Sequence, residues 1–192
     1  MGHERLLFAG MLLMGTLAMQ SNGADLRPPA VPLITHDPYM SCWSASDRLY
    51  DDWPKHWTGA VHAMCGFVRV DGKAFRFMGN PGDDGVTATQ KSLDVTATQT
   101  RYVFQCGGID LTVLFTSPML PDDLDVYSRP VSYITFSALS NDGQSHRMEV
   151  YFDASAEWCV NLPSQKVEWN RMAVQGLDVM RVGSTEQNTL KK

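Results

Sequence analysis

The sequence predicts an all-β fold, an antiparallel two-sheet sandwich built from hairpins, and three observations carry that prediction. Turn dipeptides recur between β-rich runs. Apolar and polar residues alternate within those runs. No segment after the first two dozen residues shows a long apolar repeat of helical period. The chain has 192 residues, 44% of them hydrophobic and 19% charged. That is enough apolar material for one packed core, and it excludes a disordered chain. The net charge of −5 with no basic stripe argues against nucleic-acid binding.

The chain opens with an address. Met1–Arg5 is short and polar, Leu6–Met19 is almost wholly apolar, and Gln20-Ser21-Asn22-Gly23 turns polar and small. This is the pattern of a secretory signal peptide at 1–23. The apolar run is shorter than the ~20 residues that span a bilayer. Cleavage after Gly23 is expected. The mature chain is then exported, periplasmic or extracellular, with no membrane association after cleavage.

Residues 24–64 read as an extended, aromatic-rich N-terminal segment. Pro28-Pro29-Ala30-Val31-Pro32 denies the chain helix and ladder donors. Residues 65–192 read as the β-sandwich domain, with a C-terminus that looks truncated. Phe67–Val70 and Lys73–Met78 flank Asp71-Gly72, a turn pair suited to positive φ. Arg101–Cys106 and Ile109–Phe115 flank Gly107-Gly108. Val131–Leu139 and His146–Asp153 flank Asn141-Asp142-Gly143, and Arg171–Val174 and Leu177–Val182 flank Gln175-Gly176. Leu111, Val113 and Phe115 share one strand face; Met148, Val150 and Phe152 share another; Ile134, Phe136 and Ala138 a third.

Export places Cys42, Cys65, Cys106 and Cys159 in an oxidising compartment. Four cysteines allow three pairings, and sequence does not choose among them. Their apolar surroundings favour buried thiols slightly over disulfides, and their spacing fits no zinc motif.

Chemistry-bearing residues concentrate between Leu33 and His62. This stretch holds His36, Asp37, Asp47, Asp51, Asp52, His56 and His62, with Tyr39, Trp43, Tyr50, Trp53 and Trp57. Rings mixed with carboxylates and imidazoles suit a sugar- or amide-binding surface, where rings stack and carboxylates accept hydrogen bonds. They equally suit an interface with a neighbouring domain, the more usual role of exposed aromatics. The candidate ligand- or interface-forming residues are His36, Asp37, Trp43, Trp53, His56 and Trp57. No metal-ligand spacing is matched, and the acidic turns around Gly82–Gly85 and Pro121–Asp125 do not follow a calcium loop. Asp153 and Glu157 are four apart and could form a carboxylate pair, but structural hydrogen bonding suits both better. There is no nucleophile elbow, P-loop or dinucleotide fingerprint, so no catalytic residue, metal or cofactor is assigned.

The run LRPPAVPLITHDPYMSCWSASDRLYDDWPKHWTG resembles the opening of the glutaminase A-like family. The resemblance continues through MCGFVRVDGKAFRFMG, SPMLPDDLDVYSRPVSYITF, VYFDASAEWCVN and LDVMRVGS. It implies a large exported protein with an N-terminal β-sandwich followed by an (α/α)6-like helical toroid. The implied activity is hydrolysis of L-glutamine to L-glutamate and ammonia. The implied partner is the helical catalytic domain, which lies outside this sequence. The chain would then be the non-catalytic β-sandwich portion. The alternative is a stand-alone secreted module binding a carbohydrate or other small ligand.

Overall fold

A computed structural model describes residues 27–82 and 85–191. The signal-peptide reading of 1–23, and Asp83-Asp84 of the first acidic turn, lie outside the described residues. The fold is all-β, as the hairpin signals and alternation predict.

β1 (Val31–Thr35) and β2 (Ser41–Ser44) pair as an antiparallel ribbon. β3 (Met64–Val70) and β4 (Lys73–Met78) meet across Asp71-Gly72. Both turn residues adopt positive φ, 49° and 86°, as a tight hairpin of this kind requires. β5 (Thr89–Val95), β6 (Gln99–Cys106), β7 (Ile109–Thr116) and β8 (Tyr133–Ser140) form a four-stranded meander in sequence order. Its β6–β7 turn is the predicted Gly107-Gly108. A short helix, α1 (Leu124–Tyr127), sits between β7 and β8. β9 (Met148–Ala154) follows, then a 3-10 segment, Ala156–Cys159. β10 (Val167–Val174) and β11 (Leu177–Ser184) close the described chain as a hairpin turned at Gln175-Gly176.

One predicted hairpin is not a hairpin. β8 and β9 flank Asn141-Asp142-Gly143 as expected, yet they do not pair. β8 joins β7 in the meander, whereas β9 crosses to β3 and gives a second sheet of order β4-β3-β9. The intervening loop is fastened elsewhere. Asp71 accepts the His146 Nδ1 hydrogen at 2.6 Å and the Arg147 N–H at 2.9 Å, and Asp142 meets His146 Nε2 at 2.9 Å. These contacts hold the loop where the chain passes from one sheet to the other.

The two sheets enclose the core. Phe77 of β4 meets Phe104 of β6 and Phe136 of β8, with ring centroids 5.8 and 5.9 Å apart. The predicted face of Leu111, Val113 and Phe115 is fully buried. The residues before position 65 share this core, because Val31, Leu33, Cys42, Leu49 and Tyr50 are buried within the same cluster. Thr100 Oγ1 donates to the Pro32 carbonyl at 2.6 Å, and Thr35 N donates to Ser117 Oγ at 3.1 Å. The 64/65 boundary therefore does not interrupt the packing. All four cysteines are free thiols, three of them buried.

Candidate functional site

The aromatic-rich stretch builds a groove of about 840 Å³ at the turn between β1 and β2. Asp37 makes that turn. Its Oδ1 accepts the Tyr39 and Met40 N–H groups at 2.7 and 2.9 Å, the local bonding that favours Asp in turns. Pro38 then presents its carbonyl to two donors, His56 Nε2 and Trp57 Nε1, each at 2.7 Å. Because a carbonyl only accepts, His56 carries its hydrogen on Nε2. Its Nδ1 is left to accept from Thr58 Oγ1 at 2.8 Å and Thr58 N at 3.3 Å. With both nitrogens engaged and only 2% of its surface exposed, His56 is a strut.

Trp57 is held by that same carbonyl yet is 62% exposed. It is a fixed aromatic platform facing solvent. Behind it the rings continue in series. Trp57 lies 5.4 Å from His56, His56 5.1 Å from His62, and His62 stacks on Trp158 at 4.6 Å. The series ties the groove to the 3-10 segment.

Of the six candidates, His36, Asp37, Trp43 and Trp57 line the groove together. His56 supports it from beneath. Trp53 does not line it and instead lies over Gly79, where an added Cβ would sit 2.9 Å from its ring. Sequence reasoning missed the opposite wall, made by Met119, Tyr127 and Ser128. The signal was present in the second acidic turn, because Asp123 caps α1 by accepting the Val126 N–H at 3.1 Å. Nothing local, however, indicates that α1 faces a turn some 85 positions earlier. At the floor, Ser41 Oγ and Trp43 Nε1 are buried without a hydrogen-bond partner among the described residues.

Asp153 and Glu157 each have a local partner. Asp153 is exposed on β9, where its hydrogen bond and charge push the Tyr151 hydroxyl pKa upward. Glu157 accepts from Ser155 Oγ at 2.6 Å. Among the described residues no group of three or more His, Cys, Asp or Glu side chains is arranged to hold a metal ion. Nor is any helix among them long and apolar enough to cross a membrane.

The fold and groove thus define a β-sandwich bearing a rigid aromatic surface patch. Two family models match it, each described as a domain of unknown function: DUF4964 over residues 9–84 and DUF5127 over residues 98–192. The chain is 34% identical over 158 residues to Glutaminase A of Aspergillus oryzae, covering 78% of this chain and 23% of that protein. It is 26% identical over 168 residues to a protein of Arthroderma benhamiae named as a probable glutaminase, covering 78% and 19%. No solved structure matches. The chain is a homologue of these glutaminase-named proteins, and it spans about a quarter or less of their length.

Proposed function

We propose that this chain is the non-catalytic N-terminal β-sandwich portion of an exported glutaminase-like amidohydrolase, bracing a helical catalytic domain supplied by the same longer protein. The observation that carries this reading is the 158-residue match confined to 23% of Glutaminase A. Surface chemistry supports it. The β10–β11 hairpin leaves Trp169, Leu177 and Met180 between 67% and 81% exposed, and a two-stranded ribbon with bare apolar side chains is marginal on its own. The test is ammonia release from L-glutamine by the full-length polypeptide and by Ala24–Lys192 alone. Activity in the first and none in the second is expected. Ammonia release by Ala24–Lys192, abolished by Asp153→Asn or Glu157→Gln, would overturn the reading. Export is tested by N-terminal sequencing of the secreted protein, which should begin at Ala24.

One observation favours a second reading, a small-ligand or glycan site in the groove. Trp57 is exposed while its indole N–H and ring are fixed, which suits stacking against a sugar face. A glycan-binding screen decides it. Trp57→Ala should abolish binding and Trp53→Ala should spare it. Binding indifferent to Trp57, or none at all, removes this reading.

A further inference from the structure

A sheet edge carries unpaired N–H and C=O groups, and proteins blunt such edges with charge, proline, bulges or a cover. The edges here are treated unequally. β5 carries Lys91 and Asp94 and slips register between Gln90 and Ser92. β4 carries Lys73 and Arg76, and Arg76 is bridged on its outer side to Thr87. β9 carries Glu149 and Asp153. β8 reads YITFSALS, with no charge and no proline, and its ladder to β7 has no irregularity.

The core behind this bare edge is also open. Leu111 and Val113 on β7 and Val68 on β3 are fully buried. One strand further out, their neighbours on the same faces are not. Ile134, Phe136 and Ala138 of β8 are half-buried, as is Phe152 of β9, and Met148 and Val150 remain 37% and 36% exposed. The Phe136 and Phe152 rings, 6.1 Å apart, bridge the two sheets at this margin and are only partly buried.

We propose that β8 receives a further β-strand from the same polypeptide, outside residues 27–191, whose inward side chains cover Phe136, Val150 and Phe152. The inference rests on the reading of this chain as part of a longer glutaminase-like protein. The occupant follows from length, since the curated relatives are some four to five times longer than the stretch they share with this chain. A tethered strand meets β8 at high effective concentration, an advantage a second copy lacks. Main-chain pairing supplies affinity, and the alternating apolar side chains supply register.

The experiment compares amide hydrogen exchange at residues 133–140 in Ala24–Lys192 and in the polypeptide expressed from the complete reading frame. Sedimentation of both and ammonia release by the longer protein are measured alongside. The outward amides of β8 should exchange about 100-fold slower in the longer protein. Binding of an apolar fluorescent dye by Ala24–Lys192 should be lost there. Equal exchange in the two proteins overturns the strand, as does a frame that closes at Lys192 with β8 unprotected. Protection in Ala24–Lys192 that tracks dimerisation assigns the edge to a second copy and overturns the proposal. The two readings fail separately. Ammonia release with β8 unprotected removes only the strand, and β8 protection without ammonia release removes only the glutaminase assignment.

Discussion

Replacing Gly66 by alanine is expected to destabilise the protein through a single ring. The β3–β4 ladder pairs Gly66 with Met78 and Phe67 with Arg76, so Phe77 is the extra residue of a bulge. The bulge lays the fully buried Phe77 ring over Gly66. A Cβ at position 66 would lie 2.3 Å from Phe77 Cε2 and Cζ. Carbon atoms prefer roughly 3.5–4.0 Å, so the ring must retreat by about 1.2–1.7 Å. Phe104 and Phe136 flank it and oppose that retreat. Overpacking of this kind costs about 1–3 kcal/mol, and we expect about 2. With a urea dependence of about 2 kcal/mol/M, the unfolding midpoint should fall by about 1 M. Phe77→Leu removes the clashing ring atoms and alone should cost about 1–2 kcal/mol. The double variant should then be more stable than the sum of the two losses predicts, by about 1 kcal/mol or more. Tryptophan fluorescence during urea unfolding reads all four proteins. Strict additivity, or a Gly66→Ala loss below about 0.5 kcal/mol, would refute the argument.

Three further outcomes follow from the same geometry. Hydrogen bonds donated to Asp71 and then to Asp142 raise the His146 pKa above its ordinary 6.5, while His146 lowers both carboxyls below 3.8. The His146 contribution is therefore complete below pH 6.5 and lost as pH rises through its raised value; the carboxylate contribution is lost as pH falls through their lowered values. Melting curves of wild type and His146→Gln should differ most between about pH 4 and 6.5 and converge above that window, and a pH-independent gap would contradict it. Burial pushes the Cys106 thiol up to about 12 and the Cys42 thiol higher still, so a thiol reagent at pH 8 should label half-buried Cys159 first. Rapid labelling of Cys42 in the folded protein would contradict that order. Buried Arg76 donates to the carbonyls of Tyr50, at 2.8 Å, and Gly79, so Arg76→Met should lower stability by about 2–4 kcal/mol in urea unfolding. An unchanged midpoint would show that those carbonyls find other donors.

Turn chemistry made much of this fold legible. Asp71-Gly72, Gly107-Gly108 and Gln175-Gly176 each announce a reversal that the structure contains, because such residues tolerate or favour positive φ. Asn141-Asp142-Gly143 announces a reversal just as clearly but says nothing about which strand receives the chain. In the structure the loop is fastened to Asp71, seventy residues away, beside the β3 strand that β9 joins. Strand faces were readable where one side is buried, as at Leu111, Val113 and Phe115. β10 was readable only in part, since every one of its residues is exposed and nothing forces its alternation. At the groove, residue type identified the aromatic cluster. It did not separate the exposed platform, Trp57, from the strut beside it, His56, because burial depends on where Pro38 places its carbonyl. Tyr127 and Met119 arrive through tertiary packing alone.

The crossover at β9 also sets an order of assembly. The β6–β7 turn joins strands adjacent in the chain, and such closures cost little entropy. The β3–β9 ladder instead pairs Val68 with Val150, so the chain between them must be gathered before the first bond forms. The expected order is the meander first and β9 docking on β3 later, which folding kinetics of variants in the two sheets would check. His146 lies beside the Val70–Met148 end of that ladder, where the loop from β8 delivers the incoming strand. The Asp71 contact, formed where the strand arrives, is then expected to belong to the slow step, so its loss should slow folding more than it speeds unfolding.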